Sequence, residues 1–575
     1  MTQAETKRSE TRRSGIVPGL DMLRSYQASW LRFDLVAGIV LAAILVPQGL
    51  AYAELAGLPP VTGLYTTVAC LVAYAVLGPS RVLVLGPDSS VSPLIFAAIV
   101  PLVAAGDPAS AVVLAGMLAL FVGVIEIGLG IAKLGFVADL LSKEVQVGYM
   151  NGLAITIFVG QLPKLFGFST DASGFIGEVR AFFSGLGATN ATTLVLGLAT
   201  LALLLVVPRL TTKVPAVLVA VVGATVATGA LGLVEHGVKT VGTLPRGLPT
   251  PSFPWTAKGD VGPLLIAAFG IVLVSLTDTI ATSTSFAARR GDEVDPDQEM
   301  IGVGSANVAA GFFQGFAVSV SGSRTAVATQ SGAKTQVTGL VGAGVVVILL
   351  VALPSLFRNL PQTALAAVVI AAAFSLVDLH ALVTFSRVRK TSLALSLTAT
   401  LGVVLLGVLQ GIVIAVVLSI FLFFRRSWWP PGEVLGYDDE LHGWHDLKRH
   451  PDAVQVPGAV VYRWEAPLFF ANAGMFRQHV RRLVARERPR WVVLQCEAIT
   501  DIDVTAADML KRLDDELNAQ GVHIAFVELR TRLRDLLVRY GLLETLDREH
   551  FYASVAQAIE EMGRGPATSH PAPTH

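Results

Sequence analysis

Long apolar runs separated by short polar breaks fill the first three quarters of the chain, and they are continuous rather than alternating. That pattern belongs to buried helices, not to half-buried strands. Ala37 to Ser80 holds one charge, Glu54; Val261 to Ala288 holds only Asp278; Thr391 to Phe424 holds none. A helix needs roughly 20 apolar residues to cross the hydrocarbon core, and only helices or closed barrels cross it with their backbone groups satisfied. The runs predict about fourteen spans or half-spans, starting near Leu35, Val61, Ser89, Ser110, Val145, Ala191, Val214, Gly262, Met300, Thr325, Thr335, Gln362, Thr391 and Gly411. The run from Thr391 is too long for one span and predicts a tight helical hairpin bent near Gly411.

After Phe424 the pattern changes. RRSWWPPGE reads as an exit through the membrane interface, with basic residues, tryptophans and a Pro-Pro stop. A linker is expected over 427–455 and an α/β domain over 456–563, with strands at AVVYRW (459–464), WVVLQC (491–496) and VHIAFVEL (522–529). Amphipathic helices alternate with them, one carrying Leu510, Leu513 and Leu517, which implies a largely parallel or mixed sheet covered by helices. Residues 564–575 read as a disordered tail, and 1–32 as a polar, basic segment on the cytoplasmic side. Arg425 and Arg426 close the last span on that same side, so both termini are expected in the cytoplasm.

Composition agrees with a membrane protein: 53% of residues are hydrophobic and 15% charged, with mean hydropathy +0.63. The formal net charge is +0, which selects no partner by charge, and no nucleic-acid partner is expected. Cys70 and Cys496 fall in different regions and read as separate buried thiols. His442, His445 and His450 lack a completing cysteine or carboxylate arrangement, so no metal site is expected.

Two apolar segments are interrupted. One holds GPDSSVSP (86–93), the other SVSGSRTAV (319–327), at corresponding places in the two halves of the apolar region. Paired Gly/Pro-interrupted segments of this kind point to a transport site. A half-helix that begins at membrane depth offers free N–H groups and a positive dipole end, and two such ends facing one another suit an anion. Ser89 or Ser90 is expected to cap the first, and Ser321 or Ser323 the second. From Met300 to Phe357 the only charges are Arg324 and Lys334. A charge at that depth costs ~3 kcal/mol or more unless it faces a cavity or a partner.

These residues resemble the sulfate-permease (SulP) family of anion transporters, which includes the mammalian solute-carrier anion exchangers and prestin. The resemblance rests on PQGLAYAELAGLPPVTGLY (47–65), GPDSSVS (86–92) and the long run DPDQEMIGVGSANVAAGFFQGFAVSVSGSRTAVATQSGAKTQVTG (295–339). TDIDVTAADML (500–510) resembles the STAS domain that the family carries. The resemblance implies a polytopic α-helical protein with fourteen segments in two inverted repeats of seven, forming a core and a gate, plus a cytoplasmic α/β STAS domain. It also implies elevator-like alternating access and a homodimer in the plasma membrane, here of a bacterial cell. The implied substrate site comprises Gln48 and Tyr52, which share a helix face at i and i+4, with Ser89, Ser90, Ser321, Gly322, Ser323 and Arg324.

One position departs from the family pattern. Where many members carry a glutamate in the eighth helix, this chain has Asp278, flanked on one stripe by Ser275, Thr282 and Ser285. Asp278 and Thr282 are candidate ligands of a coupling ion. A carboxylate in apolar surroundings takes up a proton readily, which favours a proton over sodium; a pairing of Asp278 with Arg324 is the structural alternative. Asp88 reads as a cap or structural partner, and Glu54 and Glu126 as partners of basic residues. Thr505 stands where related regulators carry a phosphorylated serine, but it also reads as a helix cap with Asp508. The expectation is secondary active transport of a small anion of the sulfate, bicarbonate or dicarboxylate class, with no enzymatic chemistry and no cofactor beyond a coupling ion. An uncoupled channel or exchanger, or a membrane-anchored STAS regulator that binds a cytoplasmic protein and moves nothing, are the alternatives.

Overall fold

The computed structural model describes residues 17–103, 108–135, 142–170, 172, 174–211, 214–255, 261–546 and 550–563. The basic residues of 1–16 and the tail 564–575 lie outside them. The chain divides into two compact units, 1–419 and 420–575.

The first unit is helical. A short helix α1 (Pro18–Arg24) precedes α2 (Leu31–Leu55), α3 (Pro60–Leu77), α4 (Ser92–Ile99), α5 (Pro108–Ile131), α6 (Lys143–Phe166), α7 (Phe175–Gly185), α8 (Ala191–Leu210) and α9 (Ala216–Ala230). The second half holds α10 (Val261–Ala288), α11 (Pro296–Phe312), α12 (Gly322–Gln330), α13 (Val337–Ala352), α14 (Gln362–Leu376), α15 (Leu379–Val388), α16 (Lys390–Leu406) and α17 (Val408–Trp428), the last of which runs across the boundary between the units. Each of the fourteen expected segments has its helix. Seven helices among the described residues are long and apolar enough to cross a membrane, and five more are shorter apolar helices. Large side chains such as Val195, Leu198, Ile266 and Leu405 stand exposed, a surface suited to lipid. Besides the short α1, helices α7 and α15 are extra: both are short and amphipathic, so no long apolar run announces them.

The packing repeats itself with a shift of seven segments. Helix α5 packs on α11 as α13 packs on α3; α2 meets α13 as α10 meets α5; α12 meets α2 as α4 meets α10. Likewise α6 packs on α16 as α14 packs on α8. Two groups result: a core of α2–α5 and α10–α13, and a gate of α6, α8, α9, α14, α16 and α17. Small residues let the core helices close up. A Cβ on Gly123 would stand 2.5 Å from the Gly304 carbonyl, and one on Gly311 2.6 Å from that of Gly116, so α5 and α11 touch backbone to backbone.

The hairpin predicted near Gly411 turns instead at Gly407, the one residue between α16 and α17, where φ is +104° and a side chain would be strained. Gly411 serves the packing, since a Cβ there would lie 2.5 Å from the Val403 side chain.

Asp34 holds the start of α13. Its carboxylate is fully buried and accepts from the backbone N–H groups of Lys334 (2.7 Å) and Thr335 (3.1 Å) and from the hydroxyls of Thr335, Thr338 and Tyr26. We expect Asp34→Ala to strand these donors and lower stability by about 3 kcal/mol or more. Asp34→Asn, which keeps one acceptor oxygen, should lose clearly less in thermal unfolding of detergent-solubilised protein.

The second unit is an α/β domain. Six strands, β3 (Gly432–Asp438), β4 (Gly443–Asp446), β5 (Ala459–Trp464), β6 (Trp491–Gln495), β7 (His523–Val527) and β8 (Phe551–Tyr552), lie in the order β4-β3-β5-β6-β7-β8. From β5 to β8 they are parallel, while β3 runs antiparallel to both neighbours. The expected linker is therefore corrected: residues 432–446 form a hairpin that belongs to the sheet. Side chains alternate as a sheet requires. Val492 and Leu494 join the core with α18 (Ala473–Glu487) and α19 (Val504–Asn518), whereas Val493 packs with Val555 and Ala558 of α22 (Val555–Gly563). Two further short helices, α20 (Thr531–Arg539) and α21 (Leu542–Thr545), complete the first layer. Cys70 and Cys496 are both free and buried.

Candidate functional site

Two short strands cross at the heart of the core. β1 (Leu85–Gly86) pairs antiparallel with β2 (Ser319–Val320), Leu85 opposite Val320 and Gly86 opposite Ser319. Each strand leads into a half-helix, α4 or α12. The ladder continues beyond the strands: Ser321 N–H donates to the Val84 carbonyl (3.1 Å) and Val84 N–H to Thr325 Oγ1 (3.1 Å).

Side chains brace the crossing from both sides. The Gln336 amide donates to the carbonyls of Ser80 and Leu83 at 2.8 and 2.9 Å. Asn307 accepts from Val318 N–H at 2.7 Å and donates to Glu126 at 2.8 Å. Glu126 therefore pairs with an amide, not with the base expected, because it lies fully buried on α5 where the amide of α11 is what faces it. Glu54 does meet a base: Lys164 Nζ of the gate helix α6 lies 3.5 Å from its carboxylate.

Arg324 is 1% exposed. Its guanidinium donates to the carbonyls of Pro87 (2.6 Å) and Gly86 (3.3 Å) and to Asp88 Oδ1 (3.2 Å). A Cβ on Gly86 would stand 2.9 Å from Nη1, so a side chain there would push the guanidinium back from this strand. Asp88 in turn accepts from the Ser90 N–H and hydroxyl, both at 3.0 Å. Arg324 thus ties the start of α12 to the start of α4, and the pairing of Asp278 with Arg324 is not observed.

The serines do not cap the half-helices. The N-cap of α4 is Val91 and that of α12 is Ser321, and neither makes a side-chain cap bond. Ser321 Oγ instead meets Ser323 Oγ at 3.1 Å. Among the described residues, the backbone N–H groups of Gly322, Ser323 and Arg324, and those of Ser89 and Val91, have no acceptor. Uncapped N–H groups at two facing helix starts form an anion-binding arrangement.

The other expected site residues collect around these ends. Tyr52 is 3% exposed, and its hydroxyl comes within hydrogen-bonding reach of Ser89. Gln48 lies one turn earlier on α2 and is half-buried. Thr282 of α10 faces Gly322, where a Cβ would lie 3.7 Å from its Oγ1. Ser323 is exposed while Arg324 beside it is buried, which puts open space at the α12 start. Asp278, half-buried, lies within hydrogen-bonding reach of Ser90 and accepts from Gln146 Nε2 at 3.4 Å. It has no cationic partner among the described residues. Gln146 and Tyr149, both on the gate helix α6, escaped the sequence reading. Tyr149 is buried, with its hydroxyl unpartnered. Their signal was a polar patch, QVGYMNG, inside an apolar span.

Thr505 belongs to the other unit. It is exposed in the first turn of α19, and the cap there is Asp503, which accepts from Ala506 N–H at 2.8 Å. The expected capping by Thr505 is therefore not observed, since Asp503 already occupies that position.

A model of the sulfate permease family matches residues 31–400, and one of the STAS domain matches residues 450–558. A Mycobacterium tuberculosis protein named probable sulfate transporter is 40% identical over 553 residues, covering 96% of this chain and 99% of its own. Probable sulfate transporter 3.3 of Arabidopsis thaliana is 30% identical, covering 96% and 92%. The fold matches murine Solute Carrier 26 family member A9, an anion transporter solved in the inward-facing state, with TM-score 0.87 at 24% identity over 98% of this chain and 97% of that one. It also matches the transmembrane domain of a cyanobacterial bicarbonate transporter, with TM-score 0.60 at 24% identity over 69% and 98%. With its fourteen-segment helical unit and its α/β unit, this chain belongs to the sulfate permease family, a family of multi-pass membrane transporters rather than enzymes.

Proposed function

We propose that the protein is a secondary active transporter of a small anion of the sulfate, bicarbonate or dicarboxylate class. The observation that carries this reading is the pair of uncapped half-helix starts, α4 and α12, locked together by Arg324 and lined by Ser89, Ser90, Gly322 and Ser323. Backbone N–H groups and hydroxyls match oxyanion oxygens without a metal. The names of the relatives, sulfate and bicarbonate transporters, support the class.

The division into core and gate supports alternating access. The half-helices lie wholly in the core, and the gate meets it through few polar contacts, Gln146 on Asp278 and Lys164 on Glu54. An elevator-like slide would break and remake such contacts while leaving the braced β1–β2 crossing intact. We place both termini in the cytoplasm of a plasma-membrane protein that forms a homodimer, and Thr505 is an accessible site for regulation of the STAS domain.

Asp278 is the coupling group. Arg324 compensates Asp88, whereas Asp278 meets the Gln146 amide and Ser90, feels the Asp88 carboxylate, and pairs with no cation among the described residues, so a cation arriving with the anion would offset it. A proton fits better than sodium, because an amide N–H already occupies one carboxylate oxygen.

Uptake into proteoliposomes tests the reading. Wild-type protein should take up a labelled anion saturably, accelerate under an inward proton gradient, and show counterflow. Asp278→Asn should keep counterflow but lose the response to the proton gradient. Linear, unsaturable flux would favour a channel; no flux for any anion of the three classes would favour the regulatory reading.

A further inference from the structure

Within the second unit, a groove of about 420 Å³ runs between α18 and the β3–β5 pair of the sheet. That volume lies within the range of small-molecule sites. The walls are Val434, Leu447 and Leu483, and the floor is the Tyr462 phenol, which stands 3.3 Å from His479 Nδ1. Gly432 of β3 passes so close over the Tyr462 phenol that a side chain there would displace the ring.

Two cations from separate elements converge on the groove. Lys448 follows β4, and Arg482 lies on α18. Neither has a carboxylate partner among the described residues. Arg482 is held in place by neutral groups alone, the Gln478 carbonyl and side-chain oxygens, each at 3.3 Å. By contrast the two acidic residues of the rim are engaged: Asp446 with Arg449 and the Lys448 N–H, and Glu487 with Arg486. The convergence is felt at His479, whose ring is driven toward its neutral form by burial first, and then by the charges of Arg482 and Lys448. Unpaired cations above an apolar, aromatic floor leave both a charge and a surface unmatched.

We propose that this groove binds a small organic anion, a phosphate monoester or carboxylate whose head group meets Lys448 and Arg482 while its apolar or ring body lies against Tyr462, Val434 and Leu483. The site is separate from the transport site and would make the STAS domain a receptor for a soluble metabolite class.

Calorimetry on the full-length protein in nanodiscs tests it, with phenyl phosphate, benzoate, inorganic phosphate and phenol as probes. At least one ring-bearing anion should bind about tenfold or more tightly than inorganic phosphate or phenol. Which of phenyl phosphate and benzoate binds better assigns the head group. Lys448→Ala/Arg482→Ala should weaken that binding by about tenfold or more with an unchanged unfolding midpoint, since both side chains are exposed. Binding of no ring-bearing anion, equal binding of phenol or phosphate, or unaltered binding by the double variant would each overturn the proposal. Transport of labelled anion should persist in the double variant, so the outcome is independent of the transport reading.

Discussion

Arg324→Ala is expected to cost about 3–5 kcal/mol of stability and to abolish transport. The loss is large because Arg324 is buried with three acceptors, two backbone carbonyls and the Asp88 carboxylate. Removing it strands a carboxylate and two carbonyls in a site from which water is largely excluded. Arg324→Lys should not rescue fully, since a point charge cannot span the fork that the guanidinium makes across the Gly86–Asp88 segment. Arg324→Ala/Asp88→Ala should regain part of the stability, because the orphaned charge leaves with its partner, yet should not regain transport. Thermal unfolding and proteoliposome uptake, measured on the same preparations, separate this outcome from that of an arginine that merely touches the anion. Such an arginine would change affinity and leave the unfolding midpoint unmoved.

That expectation differs from the one the sequence supports. A lone arginine in an apolar stretch reads as one wall of an anion cavity; in the fold its side chain is turned into the β1–β2 crossing, and its influence on an anion is through its field and through the half-helices it aligns. The difference has a physical source. Hydropathy marks apolar segments, and each of the fourteen it marks holds a helix, including those that follow the broken stretches at 86–93 and 319–327. Hydropathy does not report which backbone carbonyls lie beside a side chain more than 200 residues away in the chain.

The same limit explains the other corrections. Capping by Ser89, Ser90, Ser321 or Ser323 is a local inference, and it failed because Asp88 and the neighbouring serine hydroxyl take those bonds instead. Thr505 lost its capping role to Asp503, two residues earlier. The hairpin bend moved from Gly411 to Gly407 because both glycines fit the pattern, while only the positive φ distinguishes the turn from the packing contact. β3 and β4 were hidden in a segment broken by Pro and Gly, where GEVLGYD and GWHD mix polar residues and glycines and give no long apolar run. Gln146 and Tyr149 reach the site from the gate, and no local signal ties α6 to α10.

The central claim is that backbone N–H groups at the start of α12 hold the anion, and one substitution addresses it without altering any charge. Gly322 is the first residue of α12, its N–H is free, and its predecessor Ser321 is extended. Proline suits that position: it favours the first turn of a helix and an extended residue before it, and it deletes the N–H. Gly322→Ala is the control, since its Cβ would meet Thr282 at an ordinary 3.7 Å and the N–H is kept. The measurement is the concentration dependence of uptake for both variants, using whichever of sulfate, bicarbonate or a dicarboxylate the wild type carries best, on protein whose unfolding midpoint matches wild type. A hydrogen bond to a charged ligand contributes about 1.5–3 kcal/mol, so Gly322→Pro should need roughly tenfold to hundredfold more anion for half-maximal uptake, with Gly322→Ala close to wild type. Equal half-saturation in the two variants would contradict the account.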